Sequence, residues 1–353
     1  MTIVLDAMGS DQYPEPELQA AVEASDLLGE EIILVGKQEL LTDKLRMLNP
    51  RQLPVRIHHA PDVLEMEDKV VESSRKKPQN SMAVGMELVK NGVASAFVTA
   101  GNTGAAMFNA IRILRRMQGI LRPALITPIP TRAGRCVFMD TGANADCRPE
   151  FFAEFAIMGS AYAEKVLGVM NPRVGLLSNG EEEGKGNQLV KDTSPLLKSS
   201  GIHYIGNVEP KEVYAGQADV VVTDGFTGNV FIKTSEAVAK LITDVLREQI
   251  SSSTTAKLGY LLAKPAFATL RKMMDPAEVG AALLIGVNGY VFIGHGRSDS
   301  HALVSALRLA HQATQSNLLK AIQSNIQERM TLLDSQSHLS EITPSGNKSN
   351  ENY

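Results

Sequence analysis

The stretch ADVVVTDGFTGNVFIK, Ala218–Lys233, decides how this chain is read. Three consecutive valines, Val220, Val221 and Val222, have the β-branched character of a strand buried on both faces. A glycine-hinged polar loop, Thr223–Asn229, then carries the chain into a long apolar-periodic segment. Strand, turn and helix in that order gather the N–H groups of the turn and of the helix's first turn around one point, and an anion suits that point. Asn229 stands where an N-cap is expected.

The same grammar repeats outward from this stretch. Strands are expected at Ile3–Leu5, Ile32–Val35, Val55–Ile57, Ala96–Thr99, Cys136–Met139, Val174–Leu177, Ile202–Ile205 and Val220–Thr223, most followed by a Gly/Asn turn and a helical pattern. The alternation predicts an α/β protein with a mainly parallel sheet covered on both faces. Right-handed crossovers bring the loops after parallel strands to one sheet edge. The glycine-bearing loops Asp6–Asp11, Gly101–Gly104, Asp140–Asp146, Ser178–Gly186, Thr223–Asn229 and Gly294–Asp299 are therefore expected to converge.

Composition narrows the function classes. The 353 residues are 44% hydrophobic and 21% charged, with net charge -4; such a balance lacks the basic surplus of a duplex-binding protein, so no nucleic acid is expected. The first residues lead straight into a strand, without a secretory h-region, and no run has transmembrane length. Cys136 and Cys147 have neither zinc-site spacing nor the number for a disulfide framework, which fits a reducing cytoplasm. The chain carries no Gly-x-Ser-x-Gly elbow and no P-loop.

Beyond the opening stretch, Val238, Leu241, Ile242, Val245, Leu246 and Ile250 keep helical spacing until Ser251–Thr255 breaks it. A second amphipathic run bears Leu258, Leu261, Leu262 and Phe267 beside Lys257 and Lys264. Two long helices protruding as a hairpin, over about 230–275, are predicted. Its apolar face packs on a partner subunit, meets a membrane, or does both. Val279–Ile293 reads as tightly packed core, Ala302–Leu333 as a terminal helix, and 334–353 as a disordered tail after a single domain spanning 1–333.

Several side chains are candidates for chemistry. Gly101, Asn102, Thr103 and Gly104 open a helix, so their backbone and the Thr103 hydroxyl can meet an oxyanion. Lys185, between Gly184 and Gly186, can reach an anion from a strand-to-helix loop. His295, in Gly294-His295-Gly296, is accessible to substrate or merely exposed. Asp6 and Asp11 serve as base, ligand or loop brace. The basic clusters Arg112/Arg115/Arg116/Arg122 and Lys69/Arg75/Lys76/Lys77 either dock an acidic partner or nucleotide phosphates, or are solvated faces.

Together the loops cease to be generic. DAMGSD (Asp6–Asp11), AGNTGA (Ala100–Ala105), DTGANADCRPE (Asp140–Glu150), the Phe155–Ala163 run, RVGLLSNGEEEGKG (Arg173–Gly186), GNVEP (Gly206–Pro210), ADVVVTDGFTGNV (Ala218–Val230) and IGHGRSD (Ile293–Asp299) resemble, in order, the bacterial phosphate acyltransferases of phospholipid synthesis, the PlsX family. Ser10, Ser178-Asn179 and Val279–Ala282 depart from the family pattern.

The resemblance implies transfer of a long acyl chain from acyl carrier protein to inorganic phosphate, without a cofactor or metal. The product, acyl phosphate, would supply a membrane glycerol-3-phosphate acyltransferase. It also implies a cytoplasmic homodimer peripherally associated with the membrane, and a three-layer sheet similar to those of phosphate acetyltransferases and isocitrate and isopropylmalate dehydrogenases. Attack of phosphate on a thioester needs a held anion and donors for the developing oxyanion. On this reading Lys185 pairs with phosphate or oxyanion, and Asn229 donates its amide N–H to the carbonyl oxygen or orients the phosphate. Asn102, Thr103, Gly101 and Gly104, with Asp224, Gly225, Thr227 and Gly228, complete the cradle, and His295 adds a contact. The rival activities are a phosphate acetyltransferase using coenzyme A and a decarboxylating dehydrogenase of similar fold, which would need clustered aspartates for a metal.

Overall fold

The computed structural model of the protein describes residues 1–328. In chain order the elements are β1 (Thr2–Asp6), α1 (Glu15–Leu28), β2 (Glu31–Gly36), α2 (Gln38–Leu48), β3 (Val55–His59), α3 (Val70–Lys76), α4 (Ser81–Lys90), β4 (Ala96–Thr99), α5 (Thr103–Ile113), β5 (Ala124–Thr131), β6 (Gly134–Met139) and α6 (Pro149–Lys165). There follow β7 (Val174–Leu177), α7 (Gln188–Lys198), β8 (Tyr204–Val208), α8 (Pro210–Ala215), β9 (Val220–Val222), α9 (Gly225–Ser252), α10 (Thr254–Met274), β10 (Ala281–Ile285), β11 (Tyr290–Gly294) and α11 (Ser300–Gln315). The terminal helix expected over 302–333 breaks where Asn317 takes φ 56, and helical turns resume over 318–328. Its last residues, and the tail expected over 334–353, lie outside the described residues.

Among the described residues one sheet of eleven strands runs in the order β3-β2-β1-β4-β11-β10-β5-β6-β9-β7-β8. Strands β3, β2, β1, β4 and β11 are mutually parallel, and so are β6, β9, β7 and β8. Between the groups β10 is antiparallel to both β11 and β5, and β5 is antiparallel to β6. Three reversals leave the two groups pointing in opposite directions. The expected convergence of six loops is therefore corrected. Asp6–Asp11, Gly101–Gly104 and Gly294–Asp299 lie at one edge, which we call the first edge; Asp140–Asp146, Ser178–Gly186 and Thr223–Asn229 lie at the opposite, second edge.

Period-two alternation sets the layers. On one face Ile3, Leu5, Val220 and Val222 join the core with α1, α6 and α11. On the other, Val4 and Phe97 pack under α4 and α5, while Phe138 and Val221 meet Phe231 and Ile232 of α9. This is a three-layer α/β fold. Phe138 stacks on Phe231 with ring centroids 4.5 Å apart, seating the start of α9 on the sheet.

The hairpin is as expected: α9 and α10 turn about Ser253, whose hydroxyl caps α10 by accepting the Ala256 N–H. Gly225 and Gly228 are the buried residues of α9. Leu241, Leu258, Leu261 and Leu262 are exposed, the last at 80%, and Phe267 rests on the Tyr260 ring at 5.2 Å. Helix α9 starts at the second edge and meets the first at Glu236, which pairs with Arg297 at 3.1 Å. Its remaining sixteen residues project ~24 Å farther at 1.5 Å per residue.

The β1–α1 loop hides an acid. Glu17 is fully buried and accepts the Ser10 N–H at 2.9 Å through Oε1; its Oε2 and the Ser10 hydroxyl have no partner among the described residues. Burial, with Asp6 nearby, pushes the Glu17 carboxyl up to about 7. The folded chain then holds this proton between the ordinary value of 4.5 and about 7, where the unfolded chain has released it. Stability therefore falls as pH rises through that window, by about 3 kcal/mol at 1.36 kcal/mol per pH unit. Glu17→Gln keeps the acceptor for Ser10 and is expected to raise the melting temperature at pH 8 but not at pH 4. Scanning calorimetry at both values checks it; an equal change at both would show that ionisation is not the cause.

Candidate active site

Asp224, not Asn229, is the N-cap of α9. Its Oδ1 accepts the Thr227 N–H at 2.8 Å and its Oδ2 the Thr227 hydroxyl at 2.7 Å. The Gly225 N–H donates to the Asn144 carbonyl at 2.8 Å and the Gly228 N–H to the Asp224 carbonyl at 2.9 Å. The N–H groups of Gly225, Thr227 and Gly228 that sequence reasoning offered to phosphate are thus engaged by protein acceptors, and a carboxylate occupies the helix terminus. A second anion there would be repelled. Asp224, Gly225, Thr227 and Gly228, expected to bind phosphate, serve in this structure to lock the first turn of α9 onto the loop after β6.

That loop is itself held by Asp140, fully buried at the end of β6. Its carboxylate accepts the N–H groups of Leu125, Gly142, Ala143 and Asn144, and the Asn144 side-chain amide. Gly142, at φ 140, comes to face Asn229: a Cβ there would lie 3.6 Å from both Cγ and Nδ2 of Asn229. Asn229 sits in the second turn of α9, half-buried, and its carboxamide has no hydrogen-bond partner among the described residues. An amide so placed keeps both donor hydrogens for a substrate.

Residues 229, 233 and 236 share one face of α9 by their i, i+4, i+7 spacing. Lys233 lies close enough to His295 to help lower its pKa, and Glu236 holds Arg297. This face therefore joins the two loop sets that the sheet keeps apart. Alongside it Thr127 and Ala282, on the same face of the sheet as Leu125 and Leu284, are only partly covered, and the Thr127 and Thr141 hydroxyls lie 3.3 Å apart. The sheet face over β5 and β10, between α5 and α9, is thus only partly covered, and we call it the groove.

At the first-edge end Asn102 caps α5, its Oδ1 accepting the Ala105 N–H at 3.0 Å while its amide donates to the Met66 carbonyl at 2.8 Å. Gly101 is buried against the backbone of Gly9 and the Met82 methyl; it is a packing glycine, its N–H bonded to the Thr99 hydroxyl. Thr103 and Gly104 are exposed, and among the described residues their N–H groups have no acceptor. This terminus is capped by a neutral side chain, where that of α9 is capped by a carboxylate, so its free N–H groups are open to an acceptor. His295 lies beside it, since β11 pairs with β4 and the Gly296 carbonyl accepts the Asp11 N–H at 2.7 Å. Partial burial, then the cations Arg297 and Lys233, hold the His295 imidazole below its ordinary 6.5.

Lys185 occupies the second-edge loop after β7, next to β9. Its stem packs over Gly180, where a Cβ would meet Lys185 Cγ at 2.8 Å, and its ammonium has no carboxylate partner among the described residues. Lys185, in the loop after β7, and Asn229, in the second turn of α9 after β9, follow neighbouring strands, with no hydrogen bond between them. Lys233 was missed by sequence reasoning; the signal was its spacing of four from Asn229. Burial pushes both cysteine thiols, Cys136 and Cys147, up to about 12, so neither supplies a thiolate nucleophile at neutral pH. Among the described residues no three His, Cys, Asp or Glu side chains cluster as a metal site, so the aspartates a decarboxylating dehydrogenase needs are not assembled there.

A family model described as fatty acid synthesis protein matches residues 1–321. Phosphate acyltransferase of Elusimicrobium minutum is 44% identical over 93% of this chain and 96% of its own length. This chain belongs to the phosphate acyltransferase family. A second member, from Geobacter sulfurreducens, is 43% identical over 94% of each chain. As a member of that family the protein is an acyltransferase enzyme. Among solved structures it is similar to the EutD phosphotransacetylase of Staphylococcus aureus, with TM-score 0.57 and 19% identity, covering 90% of this chain and 94% of that one. The branched-chain phosphotransacylase of Enterococcus faecalis gives 0.58 and 13%, covering 90% and 99%. At such identities the likeness is one of fold, and it agrees with the three layers described above.

Proposed function

We propose that this phosphate acyltransferase moves a long-chain acyl group from the thioester of acyl carrier protein to inorganic phosphate. The acyl phosphate formed is then the donor for glycerol-3-phosphate acylation by a membrane acyltransferase. The observation that carries the reading is family membership over nearly the whole chain. The groove adds chemistry. Phosphate rests against the Thr103 and Gly104 N–H groups and the Thr103 hydroxyl, with Lys233 and His295 beside it. Its oxygen attacks the thioester carbonyl while the Asn229 amide donates to the developing oxyanion and Lys185 contributes positive charge from the next loop. The tetrahedral intermediate collapses with release of the carrier thiol, and no covalent enzyme intermediate is formed.

The test is purified protein with palmitoyl carrier protein and phosphate, trapping product with hydroxylamine. Palmitoyl hydroxamate that depends on phosphate is expected. Turnover restricted to coenzyme A thioesters would favour the acetyltransferase reading instead.

The unit responsible spans residues 1–333, as a cytoplasmic homodimer peripherally held at the membrane. Exposed Leu258, Leu261 and Leu262 support that placement, with Phe267 beside them as a wall for the acyl chain. Leu258→Asp with Leu262→Asp is expected to abolish flotation with phosphatidylglycerol liposomes; unchanged flotation would rule out this contact.

A further inference from the structure

Five arginines, Arg112, Arg115, Arg116, Arg122 and Arg148, form an exposed patch at the second edge, and none has a carboxylate partner among the described residues. Several basic groups elsewhere are neutralised: Arg51 by Asp26, Arg173 by Asp219, Lys76 by Glu72 and Lys77 by Asp68. The patch is contiguous. Arg122 and Arg148 lie over the Phe151 ring, 5.8 and 5.0 Å from its centroid. Arg116 donates to the Leu121 carbonyl, and Arg112, in the last turn of α5, shortly precedes Arg115 and Arg116 in the chain. Exposed Leu121 gives it an apolar centre. Asp146 and Glu150 flank Arg148 in the sequence, and Glu154 turns inward to the Leu121 N–H at 2.8 Å.

Position ties the patch to the groove. The Asn144 amide donates to the Pro123 carbonyl at 2.9 Å, and the Asn144 carbonyl receives the Gly225 N–H at 2.8 Å. Two hydrogen bonds thus separate Arg122 from the first turn of α9. The patch also lies at the edge from which α9 departs, whereas the apolar hairpin projects past the opposite edge. A lipid surface met by the hairpin leaves the arginines facing water.

We propose that this patch docks the acidic carrier protein that delivers the acyl thioester. The inference rests on the carrier being the donor. An acidic helix set against five unpaired guanidinium groups, with an apolar contact at Leu121, is steered and oriented so that its prosthetic arm enters the groove beside Asn144. Lys69, Arg75, Lys76 and Lys77 do not compete for the role, since two of the four are paired.

The experiment compares wild type with Arg112→Glu/Arg115→Glu and with Arg122→Glu on two donors, palmitoyl carrier protein and octanoyl pantetheine, both with phosphate. KM for the carrier is expected to rise at least tenfold in each variant, with kcat little changed. Pantetheine turnover should stay within twofold, and Arg112→Lys/Arg115→Lys should restore the carrier KM. Equal losses with both donors, or an unchanged carrier KM, would overturn the docking surface. So would loss of phosphatidylglycerol vesicle binding with the carrier KM intact, which would assign the patch to lipid. Failure of the wild type to make acyl phosphate from either donor would instead overturn the activity on which the inference rests.

Discussion

Asn229→Ala is expected to lower kcat for acyl-phosphate formation about a hundredfold or more, with thermal stability unchanged. Both halves follow from the same geometry. The carboxamide has no protein partner among the described residues, so deleting it leaves no buried group unpaired and opens no core cavity. What is lost is a preorganised donor. It is held by a helix whose first turn is pinned at Asn144 and Asp224, and removing one donor to a developing oxyanion costs about 3 kcal/mol of transition-state stabilisation. Lys185→Ala should behave alike in direction. Steady-state rates with hydroxylamine trapping, beside calorimetric melting of the same samples, check both. Near-wild-type rates in folded protein would remove these residues from the chemistry, and a melting temperature that fell with the rate would make Asn229 structural.

The sequence disclosed different layers of this structure unequally. Strands Ala96–Thr99 and Val174–Leu177 fall where their apolar runs place them, because short apolar runs bounded by turn residues have few other uses. Strand β5 was hidden because Pro128 and Pro130 interrupt it. β10 and β11 were hidden within one apolar, glycine-rich run. Those three elements carry the antiparallel reversals, so missing them put all six loops at one edge. The N-cap error had a local origin. Thr223-Asp224-Gly225 and Gly228-Asn229 both carry a capping residue, and what decides for Asp224 is the Gly225 N–H bonding to Asn144, eighty-one residues earlier in the chain. Such long-range pairing leaves no trace in local pattern. The hairpin, by contrast, was legible, since an amphipathic period broken by Ser251–Thr255 needs no tertiary information.

Gly228→Ala is where local propensity and tertiary contact give opposite answers. In an isolated helix alanine is favoured over glycine by about 1 kcal/mol, so the helical position alone predicts stabilisation. In the folded chain a Cβ at Gly228 would lie 1.9 Å from the Asp140 carbonyl oxygen, and one at Gly225 would lie 2.6 Å from the Asn144 carbonyl oxygen. Neither obstacle is a flexible side-chain end. Asp140 is fixed on both sides, by its N–H to the Thr223 carbonyl at 3.1 Å and by the four N–H groups on its carboxylate. The methyl must therefore push α9 off the loop or break that hub. The net cost should be about 3 kcal/mol, the upper end of ordinary overpacking, despite the propensity gain. Activity should fall with it, because lifting the first turn carries Asn229 away from Gly142 and Lys233 away from His295. Gly184→Ala, where nothing lies within 4 Å of the added methyl, provides the comparison and should leave stability unchanged. Urea denaturation of the two variants separates the cases: equal midpoints would show that the contact between α9 and the Asp140 loop is not what the glycine protects.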